Sequence, residues 1–321
     1  MESKKEKQIK QLWRDTFGDN EEFIKMYFKW VYKSKYALTL EDNGRIISSL
    51  MLLPYTLNYY GTELPIGYIA GACTLADERG KGWMTRLMSL AFAEMKRRGM
   101  ALATLIPASA GLFDFYDRYG FVRAFEYSFS IHTRAELAAP TGSCIARPMD
   151  KLDRRAFAYS DRKLRERPVC VLHNRADMNN IMRDMSLAGG RAFVAVRGDA
   201  LCGMAFATPV ARPASGSDER SALVREILFE DDEARAALVF AIAETMPVDR
   251  IVCRIPCTAA STPYSYGMAR VIDADRMIAL RRAACGAEAA GAETEGMDVK
   301  LLTSILLDYP DRRAHMSLML D

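Results

Sequence analysis

The 321-residue sequence predicts an α+β fold in which one unit is written twice. Three observations carry this. Residues 36–75 read as consecutive antiparallel strands separated by turn signals. Residues 73–108 then run strand, glycine-containing loop, amphipathic helix, strand. The same order returns, in degenerate form, between 191 and 257. Each copy is expected to form a mixed, mostly antiparallel sheet flanked by helices. A short C-terminal α/β segment follows. The boundaries read as 1–135, 147–267 and 268–321. At roughly 100–200 residues per domain, a chain of this length holds about two domains.

The elements follow in order. Residues 1–36 are helical by their spacing of Leu12, Trp13, Phe17, Tyr27 and Trp30, with "GDN" breaking the run in two. In 36–75, "EDNG" and "YYGTEL" supply turns for hairpins. A helix is expected from about Met84 to Arg98, since Met84, Leu87, Met88, Ala91 and Met95 share one face and Gly99 is a natural stop. "MALATLIPA" (100–108) reads as a strand. Ser109 is placed to cap a short helix, "AGLFDFYDRY", ended by Gly120. "FVRAFEYSFSIHT" closes the first copy with strand character. A joint rich in Pro, Gly and small residues is expected at 136–147.

In the second copy, helical segments over 150–187 precede a hairpin whose turn is "RGDA". Residues 223–246 read as strand, short loop, helix, and 249–257 as a strand. The tail reads as a strand over 268–277, an Ala/Glu/Gly-rich stretch, a helix over 298–309 and an apolar end, "HMSLMLD".

Bulk properties exclude several classes. A net charge of +3 makes no case for nucleic acid. No apolar run reaches the roughly 18 residues of a membrane span. The N-terminus has no signal-peptide core. Seven cysteines without a paired framework point to reduced, buried thiols in a cytoplasmic protein. Histidine-based triads and metal sites have only His132, His173 and His315 to draw on, so no metal is expected.

The chemistry concentrates in "CTLADERGKGWMTRLM" (73–88). A helix start leaves backbone N–H groups unpaired and carries partial positive charge. Gly80 and Gly82 let a bulky anion approach that backbone, and Arg79 and Lys81 add charge. The arrangement suits a pyrophosphate. It lacks the Walker spacing, and its hairpin-connected strands are not those of a dinucleotide fingerprint. The residues alone also allow a plain tight turn with solvated charges. In the second copy "EDDEAR" puts Glu230, Asp231, Asp232 and Glu233 at the equivalent place, where they would repel a pyrophosphate. One anion site per chain is therefore expected.

Arg79-x-x-Gly82, after "GACTL" and before an amphipathic helix, resembles motif A of the GNAT acetyltransferases, and "FYDRYGF" (115–121) resembles the motif that follows it. The tandem arrangement and the C-terminal segment extend the resemblance to the enhanced-intracellular-survival (Eis-like) family. It covers most of the chain and is concentrated in 65–125. Two features depart from that pattern: the sterol-carrier-like C-terminal segment is short, and Met84 stands where the wider superfamily has glycine or alanine.

The resemblance implies tandem GNAT-like domains and transfer of an acetyl group from acetyl-CoA, as co-substrate, to a small-molecule or peptide amine. It implies that Arg79, Gly80, Lys81, Gly82 and Trp83 hold the coenzyme's pyrophosphate end. It implies that backbone groups of Ala72, Cys73, Thr74 and Leu75 hold the pantetheine and polarise the thioester. Tyr116 matches the general acid in the "YxxxGF" frame, with Tyr119 as its neighbour. A phenol suits the role, because with a pKa near 10 it stays protonated at neutral pH and can donate to a departing thiolate. The family also implies that the terminal carboxylate, here with Asp321, assists deprotonation of the amine. Cys73 raises a covalent alternative, but no histidine adjoins it to activate it. An aminoacyl transferase on the same scaffold, a non-catalytic acyl-CoA sensor, and a homo-oligomer all stay open.

Overall fold

The structure, a computed structural model, describes residues 2–210, 219–258, 260–286, 296–311 and 314–320. The first copy runs α1 (Lys4–Phe17), α2 (Glu21–Trp30), β1 (Ala37–Asp42), β2 (Arg45–Tyr59), β3 (Thr62–Thr74), α3 (Trp83–Arg97), β4 (Leu102–Leu105) and α4 (Ala110–Asp117). The chain continues through β5 (Val122–Thr133), β6 (Cys144–Met149), α5 (Arg154–Arg165), β7 (Val169–Leu172) and α6 (Arg175–Leu187). Then come β8 (Arg191–Arg197), β9 (Ala200–Val210), β10 (Ser221–Phe229), α7 (Asp232–Thr245) and β11 (Arg250–Pro256). It ends with β12 (Tyr264–Val271), α8 (Ala274–Cys285), α9 (Val299–Leu306) and β13 (Ala314–Met316).

The chain divides into two compact units: Met1–Phe125 with Ser265–Ala314, and Glu126–Tyr264 with His315–Leu320. In the first, β1, β2 and β3 form antiparallel pairs, β3 and β4 pair in parallel, and β12 adds antiparallel to β4. The parallel pair needs a crossover, and α3 supplies it. Its apolar face does what the spacing requires. Leu87, Met88, Ala91 and Met95 are fully buried against Leu50, Leu52, Ile69 and Ala103 of the sheet, with Met84 half-buried at the rim.

The second unit repeats the wiring. β8, β9 and β10 are antiparallel, β10 and β11 are parallel with α7 between them, and residues 127–133 of β5 pair with β11. Helices α5 and α6 precede this sheet as α1 and α2 precede the first.

Three local expectations need correction. The strand expected over 268–277 ends at Val271, because Asp273 accepts from the Arg276 N–H at 3.2 Å and starts α8. The helical stretch 150–187 contains β7, whose four residues are all buried and so show no alternation to read. The joint near 136–147 contains the start of β6, which pairs with β8. Five cysteines are buried as expected, whereas Cys257 is half-buried and Cys285 exposed.

Candidate functional site

The site begins with an irregularity in β3. Ser49 of β2 faces Cys73 and Met51 faces Ala70, so Leu50 alone opposes both Gly71 and Ala72. This is a β-bulge, which bends a strand and re-aims its residues. Gly71 has φ 57°. A Cβ there would lie 2.1 Å from the Trp13 ring, which is held by a 2.7 Å bond from its Nε1 to Asp19. Only glycine fits both the backbone angle and the contact. Gly71→Ala should therefore destabilise the fold by about 3 kcal/mol, from left-handed strain and overpacking together. A denaturant midpoint near wild type would show that Trp13 yields without cost.

The register between β3 and β4 covers Ile66–Tyr68 and Leu102–Thr104, while β3 runs on to Thr74. Past its end, a short 3₁₀ turn over Ala76–Glu78 leads into the glycine loop. Gly80 and Gly82 both have φ 80°, and a Cβ at either would meet nothing within 4 Å. The space above this turn is open. Gly82 holds the cap position just before α3, and the first helical bond runs from the Arg86 N–H to its carbonyl at 3.2 Å. The N–H groups ahead of Arg86 thus form the unpaired end of a helix.

Two α-helices, α3 and α4, begin without a side-chain cap. Ser109 takes the cap position of α4 but makes no capping bond, contrary to the sequence expectation. The other α-helices among the described residues start on a bonded Ser, Asn or Asp. Both uncapped starts border one cleft of about 680 Å³ in the first unit.

Of the residues expected at the site, Ala72, Cys73, Thr74, Arg79, Gly80, Gly82, Trp83 and Tyr116 line this cleft. Leu75 and Lys81 are not among its lining residues. Leu75 donates its N–H to the Ile47 carbonyl at 3.0 Å, and Lys81 pairs with Glu78 at 3.1 Å. Asp321 lies outside the described residues. Residues outside that expectation also line the cleft, among them Thr16, Phe17, Glu78 and Arg118. Glu78 sits inside the glycine loop itself, but Thr16 and Phe17 arrive from the end of α1 and carry no local signal. A second hollow of about 430 Å³, in the other unit, takes in none of the expected residues.

Tyr116, on α4, packs edge-on against Phe115 and Phe121 at 5.2 and 6.0 Å. Burial, with smaller contributions from Tyr119 and Cys73, pushes its phenol up to about 12. Tyr119, its neighbour, instead shares a 3.1 Å hydrogen bond with the Thr85 hydroxyl. Cys73 lies 3.4 Å from the Ser49 hydroxyl, and burial pushes its thiol up to about 11. A thiol so raised is protonated at neutral pH and is a poor nucleophile.

The second copy has closed the equivalent features. A bulge again interrupts its third strand, but the extra residue is Arg225, whose guanidinium bonds Asp184 at 3.3 Å and the Met319 carbonyl. Helix α7 is capped by Asp231, which accepts from the Ala234 N–H at 2.9 Å. Arg197 pairs with Asp231 and with Glu233, at 2.9 and 2.8 Å. Glu230 is engaged by Arg162 and Lys163. The helix start and its charges are already satisfied.

Residues 1–124 match the family model described as an acetyltransferase (GNAT) domain. An uncharacterized N-acetyltransferase of Streptomyces avermitilis is 36% identical over 81 residues, which cover 25% of this chain and 19% of that protein. The match thus spans about a fifth of the length of that curated relative. Among solved structures, a GCN5-related N-acetyltransferase from Anabaena variabilis superposes with a TM-score of 0.71 at 14% identity, over 86% of this chain and 73% of its own. Eis1 from Mycobacterium abscessus superposes with a TM-score of 0.64 at 16% identity, over 87% of this chain and 74% of its own. At these identities the likeness is one of fold, and it extends across most of the chain.

Proposed function

We propose that the protein is an acetyl-CoA-dependent N-acetyltransferase that acetylates a primary amine by direct attack in a ternary complex. One observation carries this reading: the Tyr116 phenol lines the same cleft as the open glycine turn and the bulged end of β3. The residues fit the coenzyme. The unpaired start of α3 suits its pyrophosphate, because N–H groups and the helix dipole both favour an anion there. No Cβ fills the space above Gly80 and Gly82. The end of β3, past its register with β4, can offer backbone groups of Ala72–Thr74 to an extended pantetheine arm.

Acetyl-CoA supplies an activated acetyl thioester. The chain's part is to polarise the carbonyl, hold the amine close, and protonate the leaving sulfur. Tyr116 is suited to the last of these. Its hydroxyl remains protonated well above neutral pH and can donate as the thiolate, of pKa near 8.5, departs. An amine of lysine type, with a pKa of about 10.4, must shed a proton before it attacks. The closed second copy supports one coenzyme site per chain. Screening wild-type protein with acetyl-CoA against a panel of polyamines, aminoglycosides, lysyl peptides and small amines, read as thiol release, tests the reading. Coenzyme binding without turnover on any amine would overturn it.

A covalent acetyl-cysteine would require a thiolate at Cys73, and the buried thiol opposes one. Cys73→Ala is expected to keep wild-type turnover within about threefold. Loss of activity in a folded variant, with an acetyl-enzyme trapped on the native protein, would replace the ternary mechanism by a ping-pong one.

A further inference from the structure

The coenzyme loop contains a carboxylate whose charge works against an anion site. Glu78 accepts with a single oxygen, Oε2, from the Lys81 ammonium at 3.1 Å and from the Trp83 indole Nε1 at 3.0 Å. Its own N–H donates to the Leu75 carbonyl at 2.9 Å. Its side chain is only 19% exposed, although Asp77, Arg79 and Gly80 beside it are exposed. One residue therefore ties the end of β3 to Lys81, in the middle of the Gly80–Gly82 turn, and to Trp83, the first residue of α3. The Arg86 guanidinium in turn lies 5.2 Å from the Trp83 ring centre. Lys81 and Trp83 hold the Glu78 carboxyl below the usual carboxylate range.

A loop with two glycines has wide conformational freedom when nothing holds it. Ordering it only when ligand arrives weakens binding, and holding it beforehand strengthens binding. We propose that Glu78 is a positioning residue for the coenzyme: it clamps Lys81 and Trp83 so that the Gly80–Gly82 turn stays in the left-handed, open form a pyrophosphate needs. This inference rests on the coenzyme assignment above. It also separates from simple electrostatics by sign. A bystander carboxylate beside a phosphate site repels the ligand, so its removal should tighten binding. A positioning carboxylate should weaken binding when removed.

The experiment is calorimetric titration of coenzyme A into the full chain, as wild type, Glu78→Gln and Glu78→Ala. Glutamine keeps an oxygen for the Trp83 indole and loses the ion pair with Lys81; alanine loses both. Kd should rise about threefold in the glutamine variant and about tenfold or more in the alanine variant. Acrylamide quenching of Trp83, taken as the difference from Trp83→Phe, should increase in coenzyme-free Glu78→Ala and return to the wild-type value at saturating coenzyme A. A merely structural defect would not be erased by ligand. If the alanine variant does not fold, the glutamine variant carries the same sign test. Equal or tighter binding in the folded variants, with wild type binding normally, overturns the positioning role alone. Absence of binding by wild type overturns the coenzyme assignment and this role with it.

Discussion

Arg79→Glu combined with Lys81→Glu should cut coenzyme A affinity about 10²-fold, with a thermal midpoint close to wild type. The loop is the expected seat of a pyrophosphate, so the double change replaces two attractions by two repulsions. Both side chains are exposed, which screens each charge and keeps the effect near 3 kcal/mol rather than several times that. The same exposure means that little packing is lost. Arg79 gives up one 3.3 Å bond to the Thr74 carbonyl, and Lys81 gives up its pair with Glu78. Since a glutamate at 81 would also stand beside Glu78, Arg79→Glu alone is a useful companion. Its effect should be smaller and should shrink as salt is added. Reversal of Glu230 or Asp232, at the matching place in the second copy, should leave coenzyme binding unchanged. Calorimetry reads all four variants. Wild-type affinity in a folded double variant would remove the pyrophosphate from this loop.

Tyr116→Phe should lower turnover about 10²–10⁴-fold and leave acetyl-CoA affinity nearly unchanged. The substitution deletes one hydroxyl and keeps the ring that packs on Phe115 and Phe121. A loss confined to turnover is what removal of a proton donor does, whereas a packing defect would move stability and binding as well. The raised phenol adds a pH signature. With its pKa at about 12, Tyr116 should impose no falling limb on the wild-type rate near pH 10. That limb belongs near the raised value. The sign for stability follows. The folded pKa exceeds the unfolded one of about 10, so this contribution is complete below pH 10. It is lost as pH rises from there toward 12. Wild-type turnover in Tyr116→Phe would make the residue part of the packing and shift attention to Tyr119.

Features set by near neighbours in the chain were legible in the sequence. The apolar stripe of α3, its stop at Gly99 and the cationic glycine turn ahead of it depend on residues within a few positions of one another. The acidic start of α7 is equally local, and Asp231 caps that helix as its type and place require. The contrast between the two copies at this loop therefore needed no coordinates.

Long-range contacts decided the rest. The bulge in β3 is defined by Leu50 standing opposite both Gly71 and Ala72, a register between two strands. An isolated glycine in a strand pattern was its only local sign. Trp13 presses on that glycine from α1, a contact across more than fifty residues of chain. β12 pairs Met268 with Leu105 across a still longer separation, and Asp273 turns the following residues into a helix that strand propensity alone did not suggest. The clamp at Glu78 depends on which way three side chains of one loop turn, and composition does not say. Tyr116 was identified by its motif, but the height of its pKa comes from burial within the folded unit. Periodicity, caps and turns are local energies and can be read along the chain. Register, burial and desolvation arise only when distant segments meet.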